Sequence, residues 1–177
     1  MYATIRIRRG DARYLNAMSR HGDPALRSNM KNVDSDRTPL NRILVGTKSM
    51  ENDVKAFHAN INPKRRKGDD TQYAHVLLLA SPEYFQGDDN SLKLENWISS
   101  SISWAKKEFG KGLIHARLDM DESTPHIDLA IVPTYIKTTK RGKKTEWLSF
   151  RQKFGIPADP NRKFSYEEWQ DKYANSV

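Results

Sequence analysis

The chain has 177 residues, enough for one domain that buries its own core. Thirty Lys and Arg against 22 Asp and Glu leave a net charge of +8 and a pI near 9.6, a balance suited to a polyanionic partner, most simply nucleic acid. The absence of cysteine excludes disulfides and thiolate metal sites and agrees with a reducing cytoplasm, and no apolar run approaches the roughly 18 residues of a membrane span.

Tyr2 to Arg9 alternates Ala3, Ile5 and Ile7 against Tyr2, Thr4, Arg6 and Arg8, which predicts a first strand with a basic outer face and not a secretory signal. Arg9 to Thr47 is polar and lacks a sustained period apart from a short helical stretch at Ala12 to Ser19, so it reads as a long functional segment. Ser49 caps a predicted helix carrying Met50, Val54 and Phe57, which ends before Asn62-Pro63. Four consecutive cations follow, Lys64-Arg65-Arg66-Lys67, either a solvated loop or a phosphate contact. The nearly continuous apolar run Tyr73 to Ala80 predicts a central strand covered on both faces. Leu94, Trp97, Ile98, Ile102, Ala105 and Phe109 mark a long helix capped around Asp88 to Ser91 and stopped at Gly110, with Trp97 and Trp104 as core residues. Lys137 to Lys144 reads as a cationic loop, and Trp147 to Phe150 as a return to the sheet or the start of a new element. Phe164, Tyr166, Trp169 and Tyr173 lie near helical spacing after Ser165, and the amphipathic helix they predict is expected to lead into a longer protein.

The chemistry concentrates between these two regions. Leu113 to Asp119 alternates, with Ile114, Ala116 and Leu118 opposite His115, Arg117 and Asp119, and His126 to Ile131 places His126 and Asp128 opposite Ile127, Leu129 and Ile131. The turn-rich residues Asp121 to Pro125 join the two runs as a hairpin. Asp119 then faces His126 and Asp128, and two carboxylates with one imidazole suit Mg²⁺ or Mn²⁺ better than zinc. Solvated turn acids and a hydrogen-bonded structural histidine would give the same pattern.

Asp121-Glu122, Pro125-His126 and Val132-Pro133 resemble the third motif of the MobV (Mob/Pre) plasmid mobilisation relaxases, whose usual form is His-x-Asp-Glu-x-x-Pro-His-x-His before a strand ending in Val-Pro. Other elements resemble the same family in the same order. Asp36-Arg37-Thr38-Pro39-Leu40-Asn41 is similar to its N-terminal Ser-Arg-Thr/Ser-x-x-Asn motif, with His21 upstream. The basic run at Lys64, the strand leading to Ser81-Pro82-Glu83, and Leu148-Ser149 before a helix complete the resemblance.

The resemblance implies an α+β fold, a central antiparallel sheet flanked by helices, of the palm-like histidine–hydrophobe–histidine (HUH) relaxase kind. It implies a single nicking domain over residues 1–177, the N-terminal domain of a longer protein, in the cytoplasm. The implied activity is metal-dependent nicking and rejoining of one DNA strand at a transfer origin, through a protein attached to the 5′ phosphate. Residue matching makes Asp119, His126 and Asp128 the ligands of Mn²⁺ or Mg²⁺, two of them aspartates where the family has histidines. It makes His21 the nucleophile, oriented by Glu122 or Asp121, with Tyr14 the nearest alternative because Arg42 stands where some members carry tyrosine. Arg6, Arg8, Arg37, Asn41, Arg65, Arg66 and Lys67 would bind single-stranded or hairpin origin DNA, and conjugative coupling machinery is an implied partner. A rolling-circle replication initiator of the same superfamily and a DNA-binding module that has lost catalysis are the competing expectations.

Overall fold

A computed structural model describes residues 3–27, 30–155 and 166–177. In chain order the elements are β1 (Ala3–Gly10), α1 (Ala12–His21), the single turn α2 (Pro24–Arg27), β2 (Arg42–Val45), α3 (Met50–Ile61), β3 (Tyr73–Ala80), α4 (Asn90–Phe109), β4 (Leu113–Asp119), β5 (His126–Ile131), β6 (Thr134–Thr138), β7 (Lys144–Leu148), α5 (Phe150–Phe154) and α6 (Tyr166–Ala174). Five strands form an antiparallel sheet in the order β1-β3-β5-β4-β2, and β6 pairs with β7 in a separate ribbon.

The expected α+β architecture is present, and local chemistry explains most boundaries. The Ser49 hydroxyl accepts from the Asn52 amide at the start of α3, and Asn62, with φ of 46°, closes its end in the left-handed conformation that asparagine tolerates. Asp11 caps α1 by accepting from the Tyr14 amide, and the helix reaches His21, beyond the expected Ser19.

One sheet face is wholly apolar. Ile5, Val76, Leu78, Ala116, Leu118, Ile127, Leu129 and Ile131 pack there against Trp97, Trp104 and Phe109 of α4, Phe154 of α5, and Trp169 and Tyr173 of α6. Each fully buried Leu or Ile contributes about 1.5–3 kcal/mol relative to exposure, so this face supplies most of the driving force for folding. The Tyr173 hydroxyl is not wasted in that core, since it meets the Trp97 indole N–H and the Ser101 hydroxyl, each at 2.9 Å.

The opposite face is divided. At the Tyr73 end of β3, α1 and α3 cover a smaller core of Leu15, Met50, Val54, Tyr73, Ala130, Val132 and Leu148. At the other end the same strands present Asp119, His126 and Asp128.

Several sequence expectations need adjustment. The polar stretch from Arg9 to Thr47 contains an edge strand, β2, where Ile43 to Val45 extends the sheet beside β4. Lys137 and Thr138 belong to β6 and Lys144 to β7, which shortens the expected loop to residues 139–143. Trp147 and Leu148 return as β7 in the ribbon and not in the main sheet, and Ser149 caps α5 by accepting from the Gln152 amide. Tyr2 at the start of the first strand, and Phe164 and Ser165 before α6, lie outside the described residues. Among the described residues no helix is long and apolar enough to cross a membrane.

Candidate active site

Cross-strand register assembles the site. Asp119 pairs with His126, Arg117 with Asp128, and Leu77 and Leu79 of β3 flank Asp128 and His126 on the other side. Side chains two residues apart share a face, so His75, Arg117, Asp119, His126 and Asp128 converge on one patch. One ligand atom from each of Asp119, His126 and Asp128 can be chosen so that all three lie within 4.8 Å of one another, and the same holds for His21, Asp119 and Glu122. The hairpin thus unites the three residues expected to hold a metal, and Asp119 belongs to both groups.

Charge at this patch is dense and buried. Arg117 donates through Nε to Asp119 Oδ1 at 2.6 Å, and through Nη2 to Asp119 Oδ2 at 2.7 Å and Asp128 Oδ2 at 2.9 Å. His75 Nε2 meets Asp128 Oδ1 at 2.6 Å, and its Nδ1 meets the Tyr14 hydroxyl at 2.8 Å. Burial alone would raise both carboxyls, but hydrogen bonds and neighbouring positive charge outweigh it and hold Asp119 and Asp128 below the usual carboxylate range. Burial would lower His126, yet the hydrogen bond to Asp119 and the charge of Asp128 push it up to about 9. Two anions therefore face two cations, Arg117 and protonated His126.

His21 closes the site from above. It ends α1, with Nε2 at 3.0 Å from Glu122 Oε1 and Nδ1 at 3.2 Å from Met30 Sδ. Met18, His21, His75, Glu122, His126 and Asp128 all line one cavity of about 300 Å³. Of the two residues expected to orient His21, Glu122 is the acceptor the structure displays.

Asp121 has a different engagement. Its Oδ2 accepts from the Thr38 hydroxyl and the Asn41 side-chain amide, both at 2.8 Å, while Asn41 Oδ1 accepts from the Met120 amide at 2.6 Å. Asp121 is fully buried, so Thr38 and Asn41 clamp the hairpin turn through it.

The remaining basic residues divide by position. Arg6 is exposed on the face that carries the site, Arg8 lies 4.0 Å above the Tyr14 ring, and Arg37 reaches the Glu122 carbonyl at 3.4 Å. Arg65 instead donates to the Thr71 carbonyl at 2.8 Å and contacts His58. Arg66 and Lys67 are exposed, but their loop precedes the Tyr73 end of β3, whereas Asp128 pairs with Leu77. At about 3.3 Å per residue the Tyr73 end of β3 alone stands about 13 Å along the strand from Leu77, the residue beside Asp128.

Sequence reading missed three participants. His75 sits within an apolar run and joins the site face only through the cross-strand register of β3 with β5, and Arg117, on that face by period two from Asp119, looks like any outward strand cation. Met30 carries no signal of its own.

The Mob_Pre family model, described as a plasmid recombination enzyme, matches residues 1–157. The chain belongs to this family. Mob_Pre membership covers every residue of the site, while α6, outside the matched span, still packs Trp169 and Tyr173 into the apolar core. No curated protein sequence matches significantly. Among solved structures, the Mn-bound MobM relaxase domain (MOBV; Mob_Pre) on 22-nucleotide plasmid pMV158 oriT DNA is similar, with a TM-score of 0.66 at 19% identity over 87% of this chain and 77% of that one. A second MobM structure, on 22-nucleotide DNA with a 3′ thiophosphate, gives 0.67 at 18% identity over 87% and 77%. A third, on 26-nucleotide oriT DNA, gives 0.62 at 18% identity over 99% and 86%. This Mob_Pre chain shares their fold.

Proposed function

We propose that the chain nicks and rejoins one DNA strand at a plasmid or mobile-element transfer origin, in the cytoplasm, with a divalent metal and with His21 as nucleophile. The observation that carries this reading is the meeting of His21 with Glu122 beside the Asp119, His126 and Asp128 cluster in one cavity. The donor set fits a hard divalent ion, because two carboxylates and one imidazole offer atoms close enough to share it. Asp119, His126 and Asp128 would hold it, with Glu122 adjoining. Mn²⁺ is bound in the similar MobM structures, and the oxygen-rich set also suits Mg²⁺. Such an ion supplies Lewis-acid neutralisation of the phosphate oxygens.

This chain's residues do the rest. Glu122 accepts the N–H on one His21 nitrogen, which directs the lone pair of the other toward the Met30 side, where a phosphate would displace the thioether. That nitrogen attacks phosphorus as the bond to the 3′ oxygen breaks. The imidazole proton passes to Glu122, the leaving 3′ oxygen takes up a proton, and the 5′ phosphate stays on His21 through a P–N bond. Rejoining runs the same path backwards, with the 3′ hydroxyl attacking phosphorus. The reading extends to residues 1–177 as a single nicking domain, with Arg6, Arg8 and Arg37 as the phosphate contacts nearest the site.

The test uses supercoiled plasmid carrying the cognate origin, incubated with protein and Mn²⁺ or Mg²⁺. The expected product is nicked plasmid with protein attached, lost in His21→Ala while DNA binding persists. An unchanged adduct in His21→Ala overturns the nucleophile assignment, and Tyr14→Phe tests the hydroxyl that meets His75. Binding without any nicking would favour a decayed module. A rolling-circle initiator shares this chemistry, and the plasmid recombination family favours mobilisation.

A further inference from the structure

Asp119 and Asp128 bring two negative charges to the centre, and the fold answers with Arg117. Its side chain is 5% exposed, against 0% for Asp119 and 2% for Asp128. Nε and Nη2 take both oxygens of Asp119, and Nη2 also takes Asp128 Oδ2, while His75 takes Asp128 Oδ1. Every carboxylate oxygen of the two candidate ligands thus already has an N–H partner within 2.9 Å. Nη1 lies against Gly22, the residue after His21, at the rim of a separate groove of about 520 Å³ lined by Arg42, Ile43, Lys48 and Arg117.

We propose that Arg117 is a resident cation of the metal centre, which a divalent ion must displace from Asp119 in order to load, so that Arg117 sets the affinity of the site. The inference rests on the metal-dependent reading above. An ion held by the Asp119 and Asp128 oxygens would compete for the place the guanidinium now occupies, and two cations in a buried site repel strongly. Arginine cannot relieve that repulsion by losing its proton. It must move, and the groove beside Gly22 is where its far end already points. Arg117 therefore keeps the empty carboxylates from repelling each other and weakens binding of the ion that replaces it.

Mn²⁺ binding, followed by loss of the free-ion EPR signal, tests this on the full chain and on Arg117→Met and Arg117→Gln. Both variants are expected to bind Mn²⁺ at least about ten-fold tighter than the parent, a difference of about 1.4 kcal/mol. Both should also melt lower than the parent in EDTA and recover more on adding Mn²⁺. If the parent binds and the variants bind equally or more weakly, the Arg117 proposal falls and the metal reading stands. If neither parent nor variants bind at millimolar Mn²⁺, the metal reading itself falls. Binding by the variants alone would be the strongest support. Should neither variant fold, the Arg117 Nε–H resonance of the parent decides. Titration with diamagnetic Mg²⁺ should shift it or open it to exchange, and a resonance unchanged at saturation overturns displacement.

Discussion

The two faces of the central sheet are built from the same strands and obey opposite rules. On one face Ile127, Leu129 and Ile131 belong to the apolar core shared with α4, α5 and α6, and stability comes from area removed from water. On the other, Asp128 lies one residue from each of Ile127 and Leu129 yet is held by a guanidinium and an imidazole. The period of a strand lets adjacent residues serve folding and chemistry with little interference. A buried ion cluster contributes little net stability, because desolvation offsets attraction. The apolar face must carry that burden for both.

Substitutions can break this division, and the largest expected effect falls on the polar face. Glu122→Gln keeps shape but removes the acceptor of the His21 proton, and should slow nicking by about 10²–10⁴-fold with little change in melting temperature. Single-turnover cleavage and a thermal melt check it together; a variant that melts much lower would blur the two faces. Leu129→Ala, on the apolar face, should cost about 3–5 kcal/mol in denaturant unfolding while Mn²⁺ affinity, measured where the protein is folded, stays within two-fold. Asn41→Ala leaves buried Asp121 with one fewer donor and frees the Met120 amide, and should cost about 1–3 kcal/mol with faster hydrogen exchange at Met120. That result would show that the polar face needs its own supports.

The smallest effect is set by pH. Burial lowers His115 below its ordinary value despite the opposing hydrogen bond from its Nδ1 to Asp53, and its buried Nε2 has no partner among the described residues. Burial also lowers His58, outweighing its bond to the Gln72 carbonyl, and Arg65 adds to the lowering. The unfolded chain therefore binds these protons first. The contribution of these two histidines is complete above about pH 6.5 and declines as pH falls below it toward their folded values, opposite in sign to that of His126, which is lost as pH rises toward about 9. Denaturant midpoints from pH 6.5 to 5 should show the decline, and His115→Gln should flatten it.

How much of this was legible depended on range. The hairpin, its alternation and the cap at Ser49 are local, since each is set within a few residues. The partners of Asp121 and Asp128 are not, because Asn41 and His75 reach them only after the sheet has formed. β2 was hidden for another reason: four residues at an edge, with Ile43 39% exposed, give neither a period nor a buried run. Arg117 was readable as a position and unreadable as a role, since charge compensation belongs to a pair of strands and not to one.

Gly22 has φ of −83°, a conformation open to any residue, so its backbone does not ask for glycine. A Cβ there would overlap Arg117 Nη1. Positions 22 and 117 therefore form one unit for anyone redesigning the enzyme. Gly22→Ala alone should evict the guanidinium, pairing it with a shorter residue at 117 should restore the fit, and the non-additivity of that double-mutant cycle would measure how tightly the helix bearing His21 is geared to the carboxylates.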